Sequence, residues 1–303
     1  MLQLRGVVPA VTTPFDREQR LDVPAFRVLV EAVVQDGVHG LIVGGCTGEA
    51  WALSEPERGA LFEAAAKQVG GRLPVIAGCG GLSVRDVLAK ARMAVEAGCD
   101  AILVQPPSYI LLGQDEVMDF YEAVAVGSEL PLILYNIPRR AGISLALETV
   151  DRLADLPKVI ALKESSKDFL VLSQMIRTVG GRIDVFAGYA NLLGLAALTA
   201  GAVGYMDSST PVLGRRSVEF FNAVEAGNLV EARRLQDQMS VLNAGFFGVG
   251  TFPAAVKVGL ELMGRPGGPP RDPIRPLNGA QREKVRQALI SAELLDEVVR
   301  EFA

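Results

Sequence analysis

The sequence predicts a closed (β/α)8 barrel, eight parallel strands each followed by a helix, with further helices appended after the eighth strand. Two observations carry this. Short apolar runs alternate with stretches of helical period from residue 6 to residue 206, and the runs are apolar without interruption, as strands covered on both faces of a parallel sheet must be. Eight such units within 303 residues favour closure into a barrel; a doubly wound open sheet is the alternative arrangement of the same units.

The strand candidates and their helices come in order. Residues 6–12 precede a helix over 24–35; 40–43 precede 55–69; 74–77 precede 84–97; 101–104 precede 116–126. Residues 131–135 precede 145–154, 159–163 precede 169–179, 183–187 precede 192–199, and 202–206 form the last strand. Ser54 with Glu57, and Ser83 with Asp86, each place a hydroxyl at a helix start and an acid three residues on. Val84, Val87, Leu88, Ala91 and Val95 then share one helical face. Beyond the last strand, helices over 217–226, 230–242 and 253–263 lead to a Pro- and Gly-rich crossing over 265–276 and a final helix from about Ala280. The expected division is a catalytic barrel over 1–210 and a helical region over 211–303 packed upon it.

Composition narrows the function. A chain that is 50% hydrophobic buries a large core, and a net charge of -5 without a basic stripe gives nucleic acid nothing to bind. The first ten residues lack the features of a signal peptide, and no apolar run reaches spanning length without a charge or glycine, so the expectation is a cytoplasmic protein with no membrane partner. Cys46, Cys79 and Cys99 have no paired spacing, and His39 is the only histidine. Neither a disulfide framework, nor a metal site, nor a two-histidine triad is expected, and no cofactor is implied.

In barrels of this kind the chemistry sits where strands leave the core at their C-terminal ends. After residues 159–162 comes Lys163, an ammonium at an apolar mouth, where poor solvation lowers its pKa towards the range of a nucleophilic amine. After 41–43 comes Gly44-Gly45-Cys46-Thr47-Gly48-Glu49, a glycine-rich turn whose N–H groups and Thr47 hydroxyl suit a carboxylate or phosphate. After 132–134 comes Tyr135, a phenol on the strand next to that of Lys163, with Arg140 five residues on. Taken singly these read as a snorkelling lysine, a tight turn, a packed ring and a surface arginine. Together they supply an amine, a proton donor and two anion sites, which is what imine chemistry on a 2-oxo acid requires.

With these motifs in place, the sequence resembles the dihydrodipicolinate synthase / N-acetylneuraminate lyase family of pyruvate-dependent class I aldolases and lyases. The resemblance runs from Gly6 to about Gly204 through Pro9-Ala10-Val11-Thr12-Thr13-Pro14-Phe15, Gly45-Cys46-Thr47-Gly48-Glu49, Tyr135-Asn136-Ile137-Pro138, Leu162-Lys163-Glu164 and Ala187-Gly188. It implies that Lys163 forms the Schiff base, that Tyr135 transfers protons, and that Thr47 and Gly48 hold the pyruvate carboxylate. It makes Arg140 the clamp for a carboxylate on the aldehyde, counts Gly188 and Met206 among the substrate-binding residues, and has Tyr109 reach into a neighbouring subunit's site. A homotetramer, a dimer of dimers, is the implied assembly.

The departures are informative. Cys46 occupies the place of the relay hydroxyl between two tyrosines, and a thiol relays protons less well. Tyr189-Ala190-Asn191 lacks the acidic pair used on sugar hydroxyls by sialate lyases, and Asp207-Ser208-Ser209-Thr210-Pro211 replaces the usual sequence after the eighth strand. Glu55, Arg58, Leu82 and Ser108 stand where lysine-regulated synthases bind lysine, so inhibition by lysine is not expected. The leading expectation is a 4-hydroxy-tetrahydrodipicolinate synthase-like condensation of pyruvate with aspartate semialdehyde. The alternatives are an aldolase or dehydratase of 2-keto-3-deoxy sugar acids or 4-hydroxy-2-oxoglutarate, a non-catalytic barrel that binds a 2-oxo acid, and a phosphate-binding barrel.

Overall fold

The computed structural model describes residues 2–296. Its strands are β1 (Gly6–Val7), β2 (Leu41–Val43), β3 (Val75–Gly78), β4 (Ala101–Val104), β5 (Leu132–Asn136), β6 (Val159–Glu164), β7 (Asp184–Ala187) and β8 (Gly204–Tyr205). Every pairing is parallel and the order is β1-β8-β7-β6-β5-β4-β3-β2. The two ends of this sheet meet: Ile42 donates to the Pro9 carbonyl (2.7 Å), Val11 donates to the Ile42 carbonyl (3.0 Å), and Ala10 bridges Ile42. The eight parallel strands of the expected barrel are present. The first is shorter than residues 6–12 because Pro9 has no N–H for the ladder, although Val8 and Ala10 still donate to Tyr205 and Asp207.

Helices alternate with the strands: α1 (Val23–Gln35), α2 (Glu55–Val69), α3 (Val84–Ala97), α4 (Gln114–Gly127), the short α5 (Pro138–Ala141), α6 (Leu147–Leu153), α7 (Phe169–Val179) and α8 (Ala190–Thr199). After β8 come α9 (Thr210–Leu213), α10 (Arg215–Glu225), α11 (Leu229–Phe246), α12 (Ala254–Leu262) and α13 (Gly279–Ser291). The Ser54 capping box with Glu57 forms as its spacing predicts, and the Ser83 hydroxyl accepts from the Asp86 N–H. Two short helical turns were not legible: α5, which begins on Pro138 and carries Arg139 and Arg140, and α9, which begins beside Pro211. Proline in a first helical turn loses no hydrogen bond, which makes such turns possible in segments that read as loops.

Strand side chains divide between two cores with the period of the pleat. Ile42, Ile76, Leu103, Ile133, Ala161, Phe186 and Met206 fill the barrel. Leu41, Val43, Ala77, Ile102, Val104, Leu132, Leu134, Leu162 and Val185 face the helices. Lys163 is two residues beyond Ala161 and Tyr135 two beyond Ile133, so both continue the inward series.

The helical region after β8 is tied to the barrel by buried charge. Lys257 on α12 and Glu49 in the turn after β2 form an ion pair at 1% and 0% exposure. Lys257 also donates to the Pro269 carbonyl (2.8 Å) and lies over the Phe15 ring. Arg271, from the Pro/Gly crossing, also lies over the Phe15 ring, pairs with both carboxylate oxygens of Glu57, and gives its backbone N–H to Glu49 (2.9 Å). Burial holds the Lys257 pKa down to about 8, opposed by Glu49.

Removing one member of such a pair strands the other in a dry site. Lys257→Ala is expected to cost about 3–5 kcal/mol in urea unfolding, and the double change Glu49→Leu with Lys257→Met distinctly less. Equal losses from the single and double variants would show that the stranded charge is not the cause.

Candidate active site

Lys163, one residue before the end of β6, faces inward and is 6% exposed. In register beside it on β5 is Tyr135, and the Lys163 Nζ stands 4.4 Å from the centre of its ring. The next pair outward, Asn136 and Glu164, alternates away from the barrel: Asn136 donates to Glu164 (2.5 Å) and accepts from the Leu145 N–H (2.9 Å). This outer bond pins the two strand ends whose inner faces carry the amine and the phenol.

Burial sets the protonation states of both. Loss of hydration lowers the Lys163 pKa to about 8, with Cys46 and Asp207 pulling weakly the other way. Burial raises the Tyr135 phenol well above its ordinary value, with Cys46 and Tyr189 adding to the rise and Arg140 opposing it. At neutral pH roughly a tenth of Lys163 is therefore free amine, while Tyr135 keeps its proton and is available as a donor.

A cavity of about 340 Å³ opens over Lys163. Of the expected site residues, Cys46, Thr47, Tyr135, Arg140, Lys163, Gly188 and Met206 all line it. Gly48 does not. It lies behind the turn, where its carbonyl accepts from the Thr13 hydroxyl (2.7 Å) and an added Cβ would meet Gly44 and Val11 backbone at 3.2 Å. Tyr109 also lies elsewhere on its own chain, 96% exposed with φ 76°. A second cavity of about 420 Å³ shares Cys46, Tyr135, Ile137 and Arg140 with the first and continues past Trp51, Gly80 and Ser108.

The turn after β2 is held from behind. Gly44 has φ 63°, and Arg58 donates to the carbonyls of Ala50 (2.7 Å), Gly78 (3.3 Å) and Gly44 (3.4 Å). Glu49, two residues past Thr47 and itself at φ 54°, is anchored by Lys257 and Arg271. The presentation of Thr47 thus depends on residues of the C-terminal region. Gly188 is required for a different reason: a Cβ there would stand 1.7 Å from the Ser165 Oγ and 2.8 Å from the Glu164 carbonyl.

Several lining residues were not named as site residues from the sequence: Ser165, Arg139, Tyr189 and Ser208, the last two noted only as departures after the seventh and eighth strands, and, from the segment between α11 and α12, Phe247, Gly250, Thr251 and Phe252. Ser165 and Tyr189 follow Lys163 and Gly188 closely enough for the strand-exit rule to have found them. The Phe247–Phe252 segment carries no strand signal, and only its interruption of helical period by Gly248 and Gly250 marked it. His39 plays no part here: its ring accepts from the Val7 N–H (3.1 Å) at the opposite end of the strands and packs on Phe221. All three cysteines are free, and among the described residues no cluster of three potential metal ligands occurs.

Comparison with known proteins gives the same picture along the whole chain. The model of the dihydrodipicolinate synthetase family matches residues 3–292. A 4-hydroxy-tetrahydrodipicolinate synthase of Desulforudis audaxviator is 34% identical over 289 residues, covering 95% of this chain and 98% of the relative. The solved dihydrodipicolinate synthase of Thermotoga maritima superposes with a TM-score of 0.92 at 30% identity, covering 96% of this chain and 99% of that one. A synthase structure from Cyanidioschyzon merolae with lysine bound superposes with a TM-score of 0.91 at 30% identity over 96% and 99% of the two chains.

Gly188→Ala drives a methyl into the Ser165 side chain and against the Glu164 carbonyl, and overpacking of this kind costs about 1–3 kcal/mol. The expected result is a lower melting temperature together with weakened pyruvate binding. Unchanged values of both would show that the β7 exit has room to move.

Proposed function

The chain belongs to the dihydrodipicolinate synthetase family, and we propose that its Lys163 forms an imine with pyruvate and condenses the resulting enamine with a carboxylate-bearing aldehyde, as in the 4-hydroxy-tetrahydrodipicolinate synthases it resembles. The observation that carries this reading is a buried Lys163 in register beside Tyr135, in one cavity rimmed by Arg140, where burial lowers the pKa of the amine and raises that of the phenol.

The residues fit the steps. The Lys163 amine attacks the 2-oxo carbon of pyruvate, whose carboxylate is met by the Thr47 turn. The carbinolamine loses water with a proton from Tyr135, and the protonated imine acidifies the adjacent methyl. Loss of that proton to the Tyr135 oxygen, which so regains the one it gave, leaves an enamine, which attacks the aldehyde carbon while Arg140 holds the distal carboxylate. The new alkoxide takes a proton, and water then releases the product from Lys163. The amine, the phenol and the carboxylate turn are all fixed before substrate arrives, so positioning contributes much of the rate. This scheme calls on side chains and backbone alone.

The acceptor in this reading is aspartate semialdehyde. Cys46 takes the place of a hydroxyl next to Tyr135, and Tyr109 of a second copy enters the adjoining cavity beside it; the proposed assembly is a homotetramer of two such dimers, in the cytoplasm. No helix among the described residues is long and apolar enough to cross a membrane.

The direct test is pyruvate consumption dependent on aspartate semialdehyde. Arg140→Ala is expected to raise KM for the aldehyde roughly 10- to 100-fold, the range for losing a charge-assisted bond, with a much smaller change in KM for pyruvate. Absence of turnover, or an unmoved aldehyde KM, would contradict the assignment. Free lysine is expected not to inhibit, because Arg58 is fully engaged by three carbonyls and Leu82 and Ser108 offer little to an amino acid's charges. Clear inhibition at modest lysine concentrations would contradict that.

A further inference from the structure

We infer that the outer half of the Lys163 cavity takes, besides a short aliphatic aldehyde, an aldehyde with an aromatic body that carries a carboxylate. The inference rests on the pyruvate imine chemistry proposed above and adds an acceptor class to it. The inner half, Thr47, Tyr135, Lys163 and Met206, is sized and charged for a small 2-oxo acid. The outer half is built differently. Its wall is Tyr189 at the β7 exit together with Phe247 and Phe252, which bracket the Gly-rich segment between α11 and α12. Phe247 and Phe252 are nearly parallel, 16° apart with ring centres at 6.4 Å, and Tyr189 lies 6.4 Å from Phe247.

These rings are not wholly used up in packing. Phe247 remains 37% exposed and all three line the open cavity. Lys167, held at φ 70°, places its ammonium 4.6 Å from the centres of both Tyr189 and Phe247. Arg139 and Arg140, which line the cavity itself, make a cationic rim beside this aromatic wall. An aliphatic polyol laid against this wall would give up hydrogen bonds to water and find few replacements, since the segment's only side-chain hydroxyl is Thr251. A planar ring gains stacking area there, and its carboxylate meets the rim. The reaction needs no further reagent: the enamine carbon bonds to the aldehyde carbon, the carbonyl pair moves to oxygen, that oxygen takes the Tyr135 proton, and water hydrolyses the imine left on Lys163 to free the product and the amine.

The test uses the full-length protein with pyruvate and either 4-carboxybenzaldehyde or succinic semialdehyde, two acceptors of equal charge, followed by product mass and pyruvate consumption. The expected kcat/KM favours the aromatic acceptor at least tenfold, and Phe252→Ala and Phe247→Leu each lower that ratio roughly tenfold, the scale of one lost stacked ring. A wild type that traps pyruvate with borohydride but shows no aromatic preference, or variants that leave the ratio unmoved, would overturn this inference alone. A wild type that traps no pyruvate would overturn the imine reading and this inference with it.

Discussion

The loss of water around one ammonium is the constraint on which the site depends. A closed parallel barrel leaves its inward side chains no exit except the mouth, and Lys163 is the last inward residue of β6. Holding it there disfavours its charged form, and the resulting amine is what the proposed chemistry uses. The cost is borne by a barrel interior and a helical shell that together bury apolar side chains from every strand. Tyr135 is governed by the same burial in the opposite sense, because its charged form is the one without the proton. One environment thus eases the loss of a proton from the amine and holds the proton on the phenol beside it.

The helices after β8 belong to this arrangement. Through Lys257 and Arg271 they fix Glu49 and so the turn that presents Cys46 and Thr47, and through Phe247 and Phe252 they form part of the cavity itself. A division into a catalytic barrel and a packed appendage describes the order of the chain. The polar bolts and the cavity lining run across that division.

Much of this was legible in the sequence for identifiable reasons. Short uninterrupted apolar runs that alternate with stretches of helical period read as strands covered on both faces, and the pleat then points Lys163 and Tyr135 inward together. What escaped reading involves contacts between residues far apart in the chain. Glu49 looked like the end of a glycine motif, and nothing local announces that Lys257 and Arg271 converge upon it. Gly48 was read with the ligand-binding turn because it sits within the motif; it does not line the cavity, and its backbone passes close to Val11 and Gly44. Arg58 was read only as the absence of a regulatory residue, yet it braces three carbonyls behind the turn.

The central claim is that burial makes Lys163 a nucleophile near neutral pH. At pH 7.5 a lysine with a pKa of about 8 is roughly one quarter free amine, against roughly one part in a thousand for an ordinary lysine. Borohydride trapping of pyruvate across a pH series, with the modified peptide identified by mass, measures this directly. The account predicts a single reduced adduct on Lys163 whose rate of formation rises with pH and is half-maximal near 8. No adduct, an adduct on another lysine, or a midpoint above about pH 10, where unperturbed lysines titrate, would contradict it.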